Sequence, residues 1–150
     1  MPSNRYLCSF STIDTAGPVR SPLDEMSLRA YLSRALSIPP SISAHVNIQQ
    51  FGHGQSNPTF LLTVPTGPSG TEPRMVMRKK PAGKILSSAH AVEREYTIIS
   101  ALHRVGLKSP SNAVPVPRPL AMCEDILVLG TPFYLMEFSE GTIYLVRAST

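Results

Sequence analysis

The chain has 150 residues, enough for one domain with a buried core. Its net charge of +4 is mild, and its densest basic cluster is only Arg78, Lys79 and Lys80, so nucleic acid is not the expected partner whereas an anionic small molecule is. No apolar stretch approaches the roughly 18 residues that a membrane span needs, and Cys8 and Cys123 lie far apart with no C-x-x-C, which argues against a zinc site and favours a reducing compartment.

The first 40 residues predict a leader followed by a helix. Residues 1–20 contain several Ser and Thr and only one acid, and we expect them to form a disordered leader. Ser21 is a candidate N-cap, and Pro22 suits the first helical position. Pro39 and Pro40 should end the helix. Apolar residues recur at helical spacing between these limits: Leu28, Tyr31, Leu32, Ala35 and Leu36.

Three strands are predicted next, in an antiparallel meander. Residues 46–51 alternate between the two faces of a strand, 59–64 form a β-branched and apolar run, and 74–80 form a third strand. Residues 65–73, PTGPSGTEP, consist of turn residues and read as a loop. The first two strands are joined by a short segment rich in glycine.

The second half predicts a long helix and further strands. The helix fits residues 88–105, with Ser87 or Ser88 as cap and Gly106 as its end. Its expected buried stripe is Val92, Ile98 or Ile99, Leu102 and Val105. A proline-rich connector spans 109–119.

The segments LAMCED and ILVLG then predict a pair of strands with a turn near Glu124 and Asp125. Residues 131–138 form a strong apolar strand. The predicted fold class is therefore α+β with a mainly antiparallel sheet and a flanking helix. A domain of residues 21–141 would be followed by a tail, 142–150.

The glycine-rich segment FGHGQSNPTF does not fit two common nucleotide motifs. A dinucleotide fingerprint needs a third glycine and a following helix, but Gly52 and Gly54 precede a predicted strand. A Walker A loop needs Ser or Thr after its Gly-Lys pair, and here Gly83 and Lys84 are followed by Ile85. Two alternatives stay open, a hairpin flap that covers nucleotide phosphates and a plain hairpin whose glycines supply positive φ.

Two charged residues in the expected order favour the flap. In kinases a basic side chain on the third strand contacts the nucleotide phosphates, and a glutamate on the next helix orients it. Strand alternation puts Val76 and Arg78 on one face, with Lys80 as a fallback on the same face. Glu93 and Glu95 lie two apart, so only one of them can point inward, and Glu95, which precedes the apolar run, is the better candidate.

Four segments together resemble the kinase-like aminoglycoside phosphotransferase family, and within it the phosphotransferase domain of acyl-CoA dehydrogenase fusion proteins. They are QFGHGQSNPTF, MVMRKKPAGKILSSAHAVEREY, VPVPRPLAMCED and GTPFYLMEFSEG, and the resemblance covers about residues 25–141. It implies a protein-kinase-like N-terminal lobe, ATP with magnesium, and phosphoryl transfer to a hydroxyl group. For the fusion proteins it implies that this hydroxyl belongs to a hydroxyacyl-CoA. It also suggests a mitochondrial or peroxisomal localisation, which the chain itself leaves open.

The resemblance implies a nucleotide-binding role for eleven residues. The phosphate flap would consist of Gly52, His53, Gly54, Gln55, Ser56 and Asn57. Arg78 would contact the phosphates where protein kinases have lysine, and Glu95 would orient it. Met136 would guard the adenine pocket, and the main chain from Glu137 to Ser139 would form the hinge that binds adenine.

The catalytic parts of the family are not found in this sequence. Relatives carry an H-G-D-like catalytic loop and a later D-x-D in a C-terminal lobe, whereas the aspartates here are Asp14, Asp24 and Asp125. We therefore expect no catalytic residue and no metal ligand, and magnesium would need the second lobe. The predicted function is an ATP-binding lobe of a small-molecule phosphotransferase, inactive as the chain stands. The alternative is a non-catalytic binding or regulatory module.

Overall fold

The computed structural model describes residues 6–52, 57–66, 70, 72–83 and 91–147, and of 6–10 and 143–147 only the backbone. Within these residues the strands are β1 (Tyr6–Ser11), β2 (Ala16–Gly17), β3 (Asn47–Phe51), β4 (Thr59–Thr63), β5 (Arg74–Lys79), β6 (Pro119–Cys123), β7 (Phe133–Glu137) and β8 (Thr142–Arg147). The α-helices are α1 (Glu25–Ala35), α2 (Pro40–Ser43), α3 (Val92–Lys108) and α4 (Ile126–Leu129), and short 3-10 turns occupy Ile13–Thr15 and Pro110–Asn112. None of the helices described is long and apolar enough to cross a membrane.

A six-stranded sheet in the order β2-β3-β4-β5-β7-β6 forms the centre of the fold. Each neighbouring pair is antiparallel, so the predicted α+β class with an antiparallel sheet is confirmed. The register places Thr59 and Tyr134 on either side of Arg78. Because directly opposed residues share a face of the sheet, these three side chains form one row.

The two faces of the sheet differ in their cover. On the distal face, Leu28 and Leu32 of α1 are fully buried and belong to one apolar cluster with strand residues that include Phe60, Met77 and Leu135. On the opposite face, which we call the cleft face, a smaller cluster is formed by Phe51, Leu61 and Val76. Helix α1 therefore closes the core, whereas the cleft face keeps room for a ligand.

The predicted cap of α1 was wrong. Asp24, not Ser21, caps the helix, and its Oδ1 accepts a hydrogen bond from the Ser27 backbone N–H at 3.0 Å. This bond lowers the pKa of the Asp24 carboxyl. Ser21 is engaged elsewhere, since its backbone N–H donates to Gln50 Oε1 at 2.9 Å and its hydroxyl accepts from Gln50 Nε2 at 2.9 Å. Helix α1 already ends at Ala35, before the two prolines that were expected to end it, and Pro40 is the first residue of α2.

Secondary structure begins within the segment predicted as a leader, since residues 6–20 contain strand β1, a 3-10 turn and strand β2. Strand β1 pairs along its length with β8, which lies in the predicted tail 142–150. Residues 12–21, which we call the N-terminal strap, are hydrogen-bonded to the rest of the fold near both of their ends. Thr12 donates two hydrogen bonds to the Gly141 carbonyl, at 3.0 Å from its backbone and 2.8 Å from its hydroxyl. Arg20 donates to the Phe51 carbonyl at 2.9 Å.

Helix α3 differs from its prediction at its end and in its burial. It continues through Gly106 to Lys108, and Ser87 and Ser88 lie outside the described residues. A Cβ at Gly106 would lie 3.3 Å from the Ala113 Cβ, so this glycine serves close packing with the following segment rather than helix termination. Of the predicted stripe Val92 is buried, Ile99 and Leu102 are partly buried, and Ile98 and Val105 are about half exposed. The helix packs on the sheet along β6 and β7.

Residues 126–129 form a helix, not the predicted strand. Asp125 caps it, with Oδ1 accepting from the Leu127 N–H at 2.9 Å, and Gly130 ends it with a φ of 81°. The apolar run ILVL is compatible with a strand or a helix. The flanking Asp125 and Gly130 favour a helical turn, because they are typical of an N-cap and a C-cap.

Gly130→Ala is expected to destabilise the protein by about 1 kcal/mol, because an L-residue in the left-handed region is strained. For a chain of this size this is a fall in Tm of about 2–4 °C. Thermal unfolding followed by circular dichroism measures it. Gly17→Ala is the matched control, because the φ of Gly17 is not positive and an added Cβ there would meet nothing within 4 Å. Equal melting temperatures for the two variants would contradict the prediction.

Candidate functional site

A cleft of about 360 Å³ opens on the cleft face of the sheet. Its walls come from four parts of the chain that are distant in sequence: the N-terminal strap, strands β3 to β5, the connector before β6, and β7 with the residues after it. The lining residues are Thr12, Thr15, Phe51, Thr59, Val76, Arg78, Pro117, Met136, Glu137, Phe138 and Ser139. Four of the predicted site residues, Arg78, Met136, Glu137 and Ser139, are therefore brought together here.

Arg78 projects from β5 into the cleft and meets Glu95 of α3. The Arg78 Nε lies 2.9 Å from Glu95 Oε2, and both side chains are about one-third exposed. The contact has the distance of an ion pair but not the alignment of a hydrogen bond. Among the described residues no hydrogen bond engages the terminal nitrogens of the Arg78 guanidinium. These nitrogens therefore remain able to bind an anion in the cleft.

Glu95 receives two further donors. The Asn57 side-chain Nδ2 donates to Glu95 Oε1 at 3.3 Å, and the Tyr134 hydroxyl donates to Glu95 Oε2 at 3.1 Å. Burial raises the pKa of Tyr134, and the neighbouring negative charge of Glu95 raises it further. The phenol therefore stays protonated and remains a donor. The carboxylate is held by β7, by the residue that ends the glycine-rich loop, and by Arg78.

The alternative basic residues lie elsewhere. Lys79 projects to the distal face and is buried, and burial lowers its pKa. Lys80, the predicted fallback, follows the end of β5 and donates its backbone N–H to the Pro132 carbonyl at 2.9 Å. Neither residue lines the cleft, so Arg78 is the basic side chain of the third predicted strand that does.

The segment after β7 offers a main-chain group to the cleft. The backbone N–H groups of Glu137 and Phe138 are already used, donating to the carbonyls of Arg118 and Arg74 at 2.9 and 3.3 Å. The Ser139 N–H makes no backbone hydrogen bond within the described residues. Of the predicted hinge, Ser139 is thus the best placed to donate to a ligand. The Glu137 side chain is paired with Arg118 at 2.7 Å.

The glycine-rich loop is described only at its ends. Gly52 lies at the start, where its N–H donates to the Thr15 carbonyl at 3.0 Å, and its φ is not positive. The predicted flap residues His53, Gly54, Gln55 and Ser56 lie outside the described residues. Asn57 ends the loop and is 2% exposed, with its side-chain carbonyl oxygen buried and unpartnered in the described part of the chain.

Some lining residues were not foreseen. Thr12 and Thr15 belong to the N-terminal strap, and no local pattern in the sequence indicates that this segment crosses the cleft. Phe51 and Val76 could have been inferred, because strand alternation places Val76 beside Arg78 and ligand pockets are lined mostly by apolar side chains.

The aspartates do not line the cleft. Asp14 lies in a 3-10 turn, and Asp24 and Asp125 cap helices. Within the described residues no three side chains of His, Cys, Asp or Glu are grouped so that they could hold a metal ion. The two carboxylates at the site, Glu95 and Glu137, are both paired with arginine.

Comparison with known proteins gives the family. Residues 47–150 match the model of the phosphotransferase enzyme family named APH. The chain belongs to the APH phosphotransferase family. A crystal structure of a protein from Ralstonia eutropha, described as an aminoglycoside phosphotransferase, is 33% identical in sequence to this APH chain, with a TM-score of 0.55 over 80% of this chain and 29% of that one. The kinase-like N-terminal lobe is thereby confirmed.

Curated relatives of this APH chain carry acyl-CoA dehydrogenase names. "Probable acyl-CoA dehydrogenase IBR3" of Arabidopsis thaliana is 48% identical over 106 residues, which are 71% of this chain and 12% of that protein. Acyl-CoA dehydrogenase family member 10 of Mus musculus is 46% identical over 66% of this chain and 8% of its own length. Acyl-CoA dehydrogenase family member 11 of Homo sapiens is 39% identical over 81% of this chain, which corresponds to 14% of that protein. The chain thus spans about a tenth of the length of these relatives.

Proposed function

We propose that this chain is the ATP-binding lobe of a small-molecule phosphotransferase. The observation that carries the proposal is the Arg78–Glu95 pair, in which Arg78 lines the cleft and its terminal guanidinium nitrogens make no hydrogen bond within the described residues. Arginine binds phosphate oxygens through two parallel hydrogen bonds and stays charged at any physiological pH. An APH chain with a basic side chain held in this way is suited to grip a triphosphate.

The apolar part of the cleft suits the adenine base. Phe51, Val76 and Met136 supply flat or flexible apolar walls. The Ser139 N–H, which makes no backbone hydrogen bond within the described residues, would donate to a ring nitrogen. A cleft of about 360 Å³ lies within the usual range for a ligand site of roughly 300–1,000 Å³. The glycine-rich loop from Gly52 to Asn57 would then cover the phosphates.

For the acceptor we propose a hydroxyl group on an acyl-CoA. The support is the naming of the relatives, which are acyl-CoA dehydrogenases, together with a family chemistry that transfers phosphoryl groups. Transfer needs a base near the attacking hydroxyl and carboxylates that hold magnesium. Because Glu95 and Glu137 are both paired with arginine, we propose that the 150 residues bind ATP without transferring its phosphate.

Isothermal titration of the chain with ATP, adenosine and GTP tests the proposal. We expect ATP to bind, adenosine to bind more weakly because it lacks phosphates, and GTP to bind more weakly because its base has a different hydrogen-bonding edge. Release of ADP is measured in parallel with a hydroxyacyl-CoA and magnesium, and none is expected above the rate without acceptor. Absence of ATP binding would overturn the proposed function. ADP release that depends on the acceptor would contradict only the proposed lack of transfer, and ATP binding alone fits a non-catalytic binding module equally well.

A further inference from the structure

The carboxylate of Glu95 is fixed by more than the arginine that it faces. Tyr134 and Asn57 donate to different oxygens of the same carboxylate, Oε2 and Oε1. Both donors are 2% exposed, whereas the Glu95 side chain is about one-third exposed. A hydrogen bond to a charged group is stronger than one between neutral groups.

These donors limit how Glu95 can bind Arg78. A free carboxylate and a guanidinium prefer the two-pronged arrangement, in which both carboxylate oxygens bind guanidinium nitrogens. Here Oε1 accepts a hydrogen bond from Asn57 at 3.3 Å, and the Arg78 contact goes to Oε2 from Nε without hydrogen-bond alignment. In this arrangement the terminal nitrogens of Arg78 make no hydrogen bond to the glutamate.

Asn57 also anchors the end of the glycine-rich loop. Its side chain reaches α3, and its backbone carbonyl accepts from the Thr59 hydroxyl at 3.0 Å at the start of β4. Tyr134 reaches the same carboxylate from β7, directly opposite Arg78 in the sheet. The loop and the strand that leads to the hinge therefore meet at one side chain.

We propose that Tyr134 and Asn57 are positioning residues, which hold Glu95 so that Arg78 presents its terminal nitrogens to the phosphates. The inference rests on the proposed ATP binding and deepens it. Loss of either donor would let Glu95 turn toward Arg78 and compete with the phosphates for its guanidinium. The cost should therefore fall on ligands that carry phosphates and spare those that do not.

Tyr134→Phe, which removes only the hydroxyl, is the first test. We expect ATP to bind about tenfold more weakly, the scale of one hydrogen bond to a charged group, and adenosine affinity to stay unchanged. Tyr96→Phe is the matched control, because its ring packs on Tyr134 with centroids 5.7 Å apart while its hydroxyl makes no hydrogen bond within the described residues. Both affinities should match wild type in this control.

Asn57→Ala gives an independent test should Tyr134→Phe fail to fold, and circular dichroism of each variant reports folding. The same selective loss of ATP affinity is expected. An equal loss for ATP and adenosine, or no loss for ATP, in a folded variant would overturn the positioning role. A wild-type chain that binds neither ligand overturns the proposed function, whereas wild-type binding of ATP with unchanged variants overturns this inference alone.

Discussion

Arg78→Met is expected to lower the affinity of the chain for ATP by about a hundredfold and to leave adenosine binding nearly unchanged. Two charge-assisted hydrogen bonds from the guanidinium to phosphate oxygens would be lost, and each such bond accounts for roughly a tenfold change or more. Methionine preserves most of the apolar stem of the side chain. Isothermal titration with both ligands measures the effect. Glu95 keeps its hydrogen bonds from Asn57 and Tyr134 in this variant, so the site should remain folded.

Arg118→Met is the control with the same change in charge. Arg118 pairs with Glu137 near the rim, is more than half exposed and does not line the cleft. An exposed ion pair of this kind contributes little to stability, about 0–1 kcal/mol. Similar losses of ATP affinity in both variants would indicate a general electrostatic effect and would contradict a specific role for Arg78.

Leu32→Ala is expected to destabilise the fold by about 2–5 kcal/mol, because it removes a fully buried side chain from the contact between α1 and the sheet and leaves a cavity. This is a large part of the roughly 5–15 kcal/mol that holds a typical domain folded. Urea unfolding followed by circular dichroism gives the difference.

Met26→Ala is the comparison on the same helix, since that side chain is 82% exposed. A surface substitution of this kind should change stability by less than about 0.5 kcal/mol. Equal unfolding midpoints for Leu32→Ala and Met26→Ala would mean that α1 does not pack on the sheet as described.

The sequence predicted best what depends on local pattern. Strands β3, β4 and β5 lie within one residue of their predicted bounds, because alternation and turn residues mark them directly. The same alternation placed Arg78 on the face where the structure brings it to Glu95. Their part in nucleotide binding, like that of Met136 and Ser139, stays a prediction.

What the sequence did not reveal depends on contacts between distant residues. Strand β1 forms by pairing with β8, more than 130 residues later in the chain. The composition of the two segments does not indicate that they pair. The strap is held by the Gln50 side chain, which looks like an ordinary polar strand residue. The apolar residues of helix α3 recur at helical spacing, yet Ile98 and Val105 are half exposed. Periodicity shows which face of a helix is apolar but not which element covers that face.

The position of α1 has a consequence for where the folding unit begins. The family match starts at residue 47, so it omits α1 together with Leu28 and Leu32. A shortened chain that begins at residue 47 would retain every residue of the match and nevertheless leave Phe60, Met77 and Leu135 facing water. Such a chain should be prone to aggregate. The boundary set by similarity and the boundary set by burial therefore differ, and expression of this lobe should begin upstream of Asp24.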